Sequence, residues 1–462
     1  MFAGGWTAPA AAQVTTDGEP SLMDTVDGLT RLVDRSLVIA DRGAVTRYRM
    51  LETIRQYARE RLISSGEAPA TSDRHLAYYA ALAAQASPEL RGPSMVDWLD
   101  RLDAEIENLG IALEWSLEGE PDTAITLTTH LLDYWVARSP SPENQARVVT
   151  AVEMARRVAV DRAAATPEQR IAAVRLMGKA ALSWALSGGG MTAIDWGAEA
   201  MAIAPELDSP QATIDANLGH TTAAIFTQTP VDIRGRLAEM ILLANGIDDQ
   251  FSMAFAGVGV AVGVGAVDQE QAAPLLALGV AAAHRSGNPH AIALTSLGVG
   301  TLAARTGRTD EAQVSLAEAV ERFSEMGNER LANAARSEIA HAFRRVGRTD
   351  EALAAYRDTM ARWVRSGARG AVAHQLESVA FLRIDAGEGA RPARLLGAAA
   401  TLRETSRNPM TTNEVPEHAA YVDTLRERLG PEAVEAEIAT GRRLSMDDAV
   451  ALAFAAADPS QT

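Results

Sequence analysis

Apolar side chains follow a helical spacing in two stretches of the chain that lie forty residues apart. Spacings of three and four residues place such side chains on one face of an α-helix. Each stretch begins with a copy of the hexapeptide Gly-Arg-Thr-Asp-Glu-Ala, at 307–312 and at 347–352. The pattern therefore predicts two equivalent amphipathic helices within a repeat of forty residues. Their apolar positions are Ala312, Leu316, Ala319, Val320 and Phe323 in the first copy, and Ala352, Tyr356, Met360 and Trp363 in the second.

Glycines mark the ends of the predicted helices. A glycine at a helix C-terminus adopts a left-handed conformation at little steric cost, and Thr, Asp and Glu directly after it favour the start of another helix. We therefore predict hairpins in which one helix, A, ends at the hexapeptide glycine and a second helix, B, begins just after it. The glycines in this register are Gly307, Gly347 and Gly387 at the A–B turns, and Gly287, Gly327 and Gly367 at the other turns.

These hairpins resemble tetratricopeptide repeats, which carry a glycine at the inter-helix turn, a small residue five positions on and an aromatic residue four beyond that. Gly347, Ala352 and Tyr356 match this pattern. The period of forty exceeds the thirty-four usual in that family, which implies longer helices. Arrays of such hairpins bury their apolar faces against their neighbours and present an extended concave surface. The resemblance implies that helices A line this surface and that it binds a protein partner or a small-molecule effector.

The first seventy residues show a different order of elements. The predicted order is a helix at 22–33, a strand at 36–40, a turn at 41–43, a strand at 48–50 and a helix at 51–65. Helix, strand, turn, strand and helix in this order are typical of a winged helix whose wing is a two-stranded hairpin. No other part of the chain predicts a sheet.

Together the patterns predict an all-α fold: a tetratricopeptide-like helical-repeat solenoid preceded by a small winged-helix module with a two-stranded wing. Between the winged helix and the regular repeats, paired helical patterns continue without a copy of the hexapeptide, so we expect degenerate repeats there. The predicted segments are 1–68 for the winged-helix module, 69–245 for degenerate helical hairpins, 246–408 for the repeats of period forty and 409–462 for a C-terminal helical cap.

Composition and charge narrow the classes of function. The chain has 462 residues, of which 47% are hydrophobic, and no cysteine, so a continuous core is feasible and disulfides and thiolate metal sites are excluded. The formal net charge of -17 opposes non-specific attraction to nucleic acid and to anionic membranes. The longest uncharged stretch, 250–267, predicts a buried helix of the array rather than a membrane span. We expect a cytoplasmic location without membrane contact.

The sequence carries no catalytic motif that we can identify. A phosphate-binding loop needs glycines, a lysine and a following hydroxyl residue, whereas the single lysine, Lys179, lies in an alanine-rich stretch without a Ser or Thr after it. The eight histidines include no pair at the four-residue helical spacing with a following carboxylate, which is the pattern of many metal sites. We therefore predict that the chain is not an enzyme and that it holds no cofactor and no metal.

Several blocks of the sequence resemble the region that follows the ATPase module in bacterial STAND-type transcriptional regulators of the LuxR-like and antibiotic-regulator-like class. The blocks lie at 2–7, 32–37, 47–58, 98–109, 393–399 and 441–446, and Gly110 departs from the family pattern, which has arginine there. The resemblance implies the non-catalytic part of a signal-responsive regulator, without its ATPase and terminal helix-turn-helix modules. In the family the first block lies partway into the winged helix, so we expect that this chain starts inside that module. A separate ATPase chain is then an expected partner.

An alternative reading rests on arginines of the N-terminal segment. Eight arginines lie between Arg31 and Arg61, against four carboxylates. Arg42, Arg47 and Arg49 fall on the predicted wing, where basic side chains can contact a DNA minor groove. In the family this module packs against other domains, so the same arginines are also candidates for a domain contact. The alternative function is a DNA-binding regulator that acts through the Arg-rich winged helix.

Overall fold

The computed structural model describes the chain except for residues 17–20, 44, 139, 188–189, 264–268, 407, 411–413 and 456–462. Within the described residues, 23 α-helices and three short strands form the regular structure, which confirms the predicted all-α class. The chain divides into two compact units, Met1–Ala180 with Ile203–Ala212, and Ala181–Ala202 with Thr213–Thr462. The predicted division into four segments remains a prediction.

The first unit begins with a small sheet between helices. Its elements are β1 Trp6–Thr7, α1 Ala8–Thr15, α2 Leu22–Asp34, β2 Ile39–Asp41, β3 Arg47–Arg49 and α3 Glu52–Ser64. The predicted order of helix, strand, turn, strand and helix is confirmed. The sheet is antiparallel with the order β1-β3-β2, so it has one strand more than the predicted two-stranded wing. Sequence periodicity missed β1 because two residues are too few to show the alternation of a strand.

Longer helices complete the first unit. They are α4 Ala68–Glu89, α5 Met95–Asp103, α6 Ile106–Gly119, α7 Pro121–Ala137, α8 Pro142–Val160 and the first part of α9 Pro167–Leu186. Lys179, the single lysine, lies on α9 and is buried. Its ammonium group contacts both carboxylate oxygens of Asp133 on α7, at 2.8 and 2.7 Å, and Ser87 donates a hydrogen bond to the same carboxylate. This lysine therefore belongs to a buried ion pair between two helices.

The second unit consists of helices throughout its described residues. Its first elements are α10 Gly190–Ile203, α11 Pro210–Thr227, α12 Ile233–Gly246, α13 Gln250–Gly263 and α14 Gln269–Ser286, with a short 3₁₀ helix at Ala204–Glu206 in the first unit. The regular repeats follow as α15 Pro289–Arg305, α16 Thr309–Glu325, α17 Glu329–Arg345, α18 Thr349–Arg365, α19 Arg369–Asp385 and α20 Ala390–Ser406. The last helices are α21 Glu414–Leu429, α22 Pro431–Gly441 and α23 Met446–Ala453.

The repeats of period forty are regular in the structure. The helices α15 to α19 are each 17 residues long and start twenty residues apart. The two hexapeptides lie at equivalent corners, between α15 and α16 and between α17 and α18. Gly307 and Gly347 both have a φ of 75°, and Gly387 has a φ of 92°. A side chain would be strained in this left-handed region, which explains why glycine recurs at the turns.

Helices A form one layer of the array. The helices α13, α15, α17 and α19 each contact the next member of this set, while α14, α16 and α18 each pack between two of them. Neighbouring helices lie closest on the inner side of a curved stack, so the direct contacts place helices A on the inner side. We call α13, α15, α17 and α19 the inner layer.

Small residues let the two helices of a hairpin approach closely. A Cβ atom on Gly300 of α15 would lie 2.5 Å from Cγ of Leu316 on α16, so this helix contact requires glycine. Ala312, Ala352 and Tyr356 are fully buried and contribute to the core of the array. Each hairpin therefore depends on its neighbours for burial of its apolar face.

The C-terminal helices end the array. The helix α21 lies along α19, α22 lies along α20, and α23 packs against α18 to α20. The predicted buried helix at 250–267 is present as α13, with Met253, Ala254 and Phe255 buried, and its last part, 264–267, lies outside the described residues. In the part of the chain that the structure describes, no helix is both long and apolar enough to cross a membrane.

Candidate functional site

Arg47, one of the candidate DNA-contact or domain-contact residues, is engaged inside the first unit. From β3 it forms an ion pair with Glu105 and donates a hydrogen bond of 2.8 Å to the backbone oxygen of Ala104. Glu105 is buried and also accepts hydrogen bonds from the hydroxyl of Tyr79 at 2.9 Å and the amide of Asn108 at 2.8 Å. Burial, together with the neighbouring carboxylate, raises the pKa of Tyr79. Arg47 thus neutralises a buried carboxylate, which would otherwise be costly.

Asn108 ties the N-terminal segment to the same place. Its amide donates a hydrogen bond of 2.8 Å to the backbone oxygen of Gly5, and its side-chain oxygen accepts one of 2.8 Å from the backbone N–H of Ala3. Gly5 has a φ of 104°, and a Cβ there would lie 2.9 Å from the backbone oxygen of Tyr48. Three of the sequence blocks that carry the family resemblance therefore meet at one buried carboxylate, where they hold the sheet against the helices.

The other two arginines of the hairpin remain at the surface. Arg42 is exposed, and Arg49 is exposed and pairs with Asp41 across the strands at 2.9 Å. An exposed pair of this kind contributes little to stability, so the guanidinium of Arg49 is accessible to other anionic ligands. The structure therefore separates the three candidate arginines, and brings only Arg47 to an internal contact.

The repeat-defining residues lie in turns and in the core. Gly307, Gly347 and Gly387 occupy the turns, and Ala312 and Ala352 are fully buried. Tyr356 is also fully buried, but its hydroxyl lies 2.7 Å from Nδ1 of a histidine, His341. This contact connects the repeat core with a group of polar side chains on the inner layer.

These polar side chains form what we call the inner-layer cluster. Its members are His341, Arg344 and Arg345 of α17, His374 and Glu377 of α19, Arg403 of α20, and Glu414 and Glu417 of α21. All of its arginines and histidines come from the array, and two of its three carboxylates come from α21. The cluster therefore joins α21 to the inner layer through charge.

Arg344 is an enclosed cation of the cluster that depends on α21 for its counter-ion. Its side chain is 11% exposed, and it contacts Glu417 of α21 at 2.8 Å. Its guanidinium carbon lies 5.5 Å from the centre of the Phe381 ring, and its buried Nε has no hydrogen-bond partner among the described residues. Burial opposes the charge, but the hydrogen bond and the charge of Glu417 raise the pKa of Arg344. The guanidinium is thus held charged by a single carboxylate from α21.

Glu414 lies one helical turn before Glu417 and meets the next part of the cluster. Its carboxylate is 3.1 Å from Nε2 of His374, whose side chain is 40% exposed, and 3.4 Å from Arg403. Arg403 is itself buried in a two-pronged contact with Glu377, with distances of 2.8 and 2.7 Å. Arg403 therefore keeps a carboxylate partner without Glu414, whereas the imidazole of His374 faces solvent and α21.

His341 occupies the buried end of the cluster. Its ring stacks on His374 with 4.5 Å between ring centres, and its Nδ1 meets the hydroxyls of Tyr356 at 2.7 Å and Ser378 at 3.4 Å. Burial lowers the pKa of His341 far below its usual value, and interactions with the neighbouring His374 and with nearby arginines lower it further. The imidazole is therefore neutral near pH 7 and extends the polar network into the array.

The second half of α21 is held by apolar contacts. The ring of Tyr421 stacks on Phe381 with 4.2 Å between centres, and Val422 and Leu425 are buried in the core of the array. The first half of the helix, around Glu414 and Glu417, is held mainly by the charged contacts described above. One helix thus combines an apolar anchor with a charged end.

None of the residues in the inner-layer cluster was predicted from the sequence to be functional. The histidines lack the spacing of a metal site, and arginines on a predicted helix do not by themselves mark a binding site. The pairs that form the cluster join residues 11 to 73 positions apart, such as Arg403 with Glu414 and Arg344 with Glu417. No spacing rule predicts such pairs, because they depend on how the helices stack.

The first comparison with known proteins concerns sequence. No family model matches the chain. It is 34% identical over 263 residues to proteins named "Putative HTH-type transcriptional regulator" from Mycobacterium bovis and Mycobacterium tuberculosis. The match covers 54% of this chain and 28% of each relative, so the chain corresponds to a minor part of those proteins. The chain is therefore similar to part of a family of regulators.

Solved structures share the helical-repeat fold. A Rap protein complexed with Competence and Sporulation Factor matches with a TM-score of 0.53 and 12% identity, over 82% of this chain and 99% of that chain. A STAND protein with a tetratricopeptide repeat sensor from Pyrococcus horikoshii matches with a TM-score of 0.47 and 14% identity, over 96% of this chain and 60% of that chain. The first match confirms the predicted tetratricopeptide-like architecture.

Proposed function

We propose that this chain is the sensor part of a transcriptional regulator and that its inner layer binds a peptide or protein segment. The observation that carries the proposal is the inner-layer cluster, in which cations and imidazoles of the array face the carboxylates of a helix laid along them. Charged pairs at a partly exposed helix surface give orientation and specificity to a docked segment. The similarity to regulators over 54% of the chain supports a role in gene regulation.

Binding alone accounts for the proposed role. His341 forms hydroxyl–imidazole pairs with Tyr356 and Ser378, and all three residues are buried. A substrate would need access to such a pair. The Rap protein with the same architecture was solved as a complex with Competence and Sporulation Factor, which supports a peptide or protein as the ligand class. A small-molecule effector is the other ligand class that the repeat fold serves.

We assign the first unit a transmitting role within a regulator of the LuxR-like STAND class. The sheet of β1 to β3 with α2 and α3 would be its winged helix, held to α6 through Glu105 and Asn108. An ATPase module, on the same protein or on a separate chain, is the proposed partner of this unit. The alternative function, DNA binding through the winged helix, has the exposed Arg42 and Arg49 in its favour.

A site-specific photo-crosslinker tests the proposed inner-layer binding. We place it at Arg345, which is exposed at the end of α17, and at Val314, which is 73% exposed on α16 outside the inner layer. In cells that express the chain, we expect position 345 to capture a discrete protein or peptide and position 314 to capture none. Equal capture from both positions, or none from position 345, contradicts the proposal.

A further inference from the structure

The helix α21 departs from the stacking of the regular repeats. In the regular units each B helix packs along the A helix that follows it, as α16 does with α17 and α18 does with α19. On the side away from α19, the helix α20 instead packs along α22, and α21 contacts both α22 and α19. Glu417 of α21 also contacts Arg344 of α17, which is the inner-layer helix before α19. The helix thus lies over the inner layer, in the region that the proposed function assigns to a ligand.

The contact with Arg344 limits what can replace this helix. A cation that is 11% exposed is destabilised when its counter-ion leaves, because the surroundings solvate it poorly. Glu417 is its ion-pair partner among the described residues. A segment that takes the place of the charged half of α21 must therefore bring a carboxylate of its own to Arg344.

The replacing segment is also expected to carry a second carboxylate, one helical turn from the first. Glu414 and Glu417 are three residues apart, so their side chains project from the same side of α21 toward His374 and Arg344. Arg345 adds an exposed cation that has no ion pair among the described residues. The net charge of -17 repels acidic partners at long range, so the attraction is confined to this short strip of cations.

We infer that the ligand of the inner layer is an acidic helical segment of a partner protein, and that Glu414 and Glu417 of α21 are its built-in competitor. This inference rests on the proposed peptide-binding function. The partner presents two carboxylates one helical turn apart, and these replace the carboxylates of α21 at Arg344 and His374. The apolar anchor formed by Tyr421, Val422 and Leu425 keeps the second half of α21 in place during the exchange.

The test uses the full chain and two synthetic probes. One probe is a fluorescein-labelled peptide with the sequence of residues 414–429, and the other has Gln in place of Glu414 and Glu417. Binding is measured by fluorescence anisotropy to the wild type, to the E414Q/E417Q variant and to the same variant with R344Q added. The control variant E321Q/E325Q changes the charge equally, with the two residues one helical turn apart, on the exposed surface of α16.

The expected result is selective binding of the acidic probe. It should bind E414Q/E417Q at least tenfold more tightly than the wild type or the control variant, because the built-in carboxylates no longer compete. Adding R344Q should remove this gain, and the Gln probe should show no gain in any protein. In the wild type, hydrogen exchange at residues 414–418 should speed up with the acidic probe and not with the Gln probe, which tests the exchange even if a variant folds poorly.

The outcomes separate this inference from the proposed function. Equal binding of both probes to every variant overturns the acidic-partner inference and leaves peptide binding by the inner layer intact. Equal affinity of the acidic probe for the wild type and for E414Q/E417Q overturns the claim that α21 competes. No binding of either probe to any protein, with unchanged hydrogen exchange, overturns the inference and also counts against peptide binding.

Discussion

Replacing His290 with Phe is expected to make the array less sensitive to acid. His290 lies at the start of α15 and is buried, and neither of its ring nitrogens has a hydrogen-bond partner among the described residues. Its ring stacks on Phe255 with 6.0 Å between centres and meets Phe323 edge-on at 5.6 Å. Burial lowers the pKa of His290 from 6.5 to about 4. The folded chain therefore keeps an uncharged imidazole in an aromatic environment.

The sign and size of the effect follow from proton linkage. The folded pKa lies below the unfolded value, so the unfolded chain binds more protons between pH 6.5 and about 4 and stability falls as the pH falls through this window. The whole shift corresponds to about 3 kcal/mol, of which about 2 kcal/mol is lost at pH 5. Phenylalanine does not titrate. It also removes an unpaired buried polar group, which lowers the stability of the fold by about 1–3 kcal/mol. His75 is also buried with a pKa lowered to about 4, but it is the same in both proteins and cancels.

Urea unfolding, followed by circular dichroism at pH 8 and pH 5, measures this difference. When the pH is lowered from 8 to 5, the free energy of unfolding should decrease in both proteins. The decrease should be about 2 kcal/mol smaller in His290→Phe than in the wild type. His284→Gln changes an exposed histidine on α14 and should behave as the wild type. His290→Leu also removes the titrating group, but its side chain is smaller than phenylalanine. A result shared by both variants therefore reflects the loss of titration and not overpacking. An equal loss in the wild type and in both His290 variants would refute the assignment of a neutral, unpaired imidazole.

Further predictions concern the two buried arginine–carboxylate contacts and the DNA alternative. Glu377→Gln removes the carboxylate of a buried ion pair and should lower the free energy of unfolding by about 3–5 kcal/mol. Glu351→Gln, in an exposed arginine pair, should leave the free energy of unfolding nearly unchanged in the same urea assay. Arg47→Ala leaves a buried carboxylate at the sheet without its cation and should cost about 2 kcal/mol, while Arg42→Ala should change stability by less than about 0.5 kcal/mol. Anisotropy with a labelled DNA duplex at about 50 and 200 mM salt should show no binding that depends on the exposed arginines, and salt-dependent binding lost in Arg42→Ala/Arg49→Ala would establish the DNA-binding alternative.

The repeats were predictable because local chemistry sets them. Helix length and turn position depend on residues within about one turn of each break, as with Gly307 and Thr309 in one hairpin and Gly347 and Thr349 in the next. These signals recur at fixed intervals, so the register of the hairpins could be read from the sequence. The strand β1 was missed for the opposite reason, since its two residues pair with residues of β3 that lie forty or more positions away.

The inner-layer cluster was not predictable from local chemistry. The position of α21 depends on which helix packs along α20, and the sequence does not state that α22 takes this place. Glu414 and Glu417 look like ordinary acidic residues in the first turn of a helix, where they also favour the helix dipole. Their second role appears only when the stacking brings them to Arg344 and His374.

Both units use an enclosed arginine to fix an added element onto a helical framework. Arg47 holds the sheet of the first unit to Glu105, and Arg344 of the array holds α21 through Glu417. The two contacts differ in how many partners share the charge. Glu105 keeps two further hydrogen-bond donors, Tyr79 and Asn108, so the sheet contact is supported from several sides. Arg344 depends on one carboxylate, from a helix whose charged end has few apolar contacts. A competing acidic segment can therefore act at the contact between Arg344 and Glu417 with the smallest rearrangement of the fold.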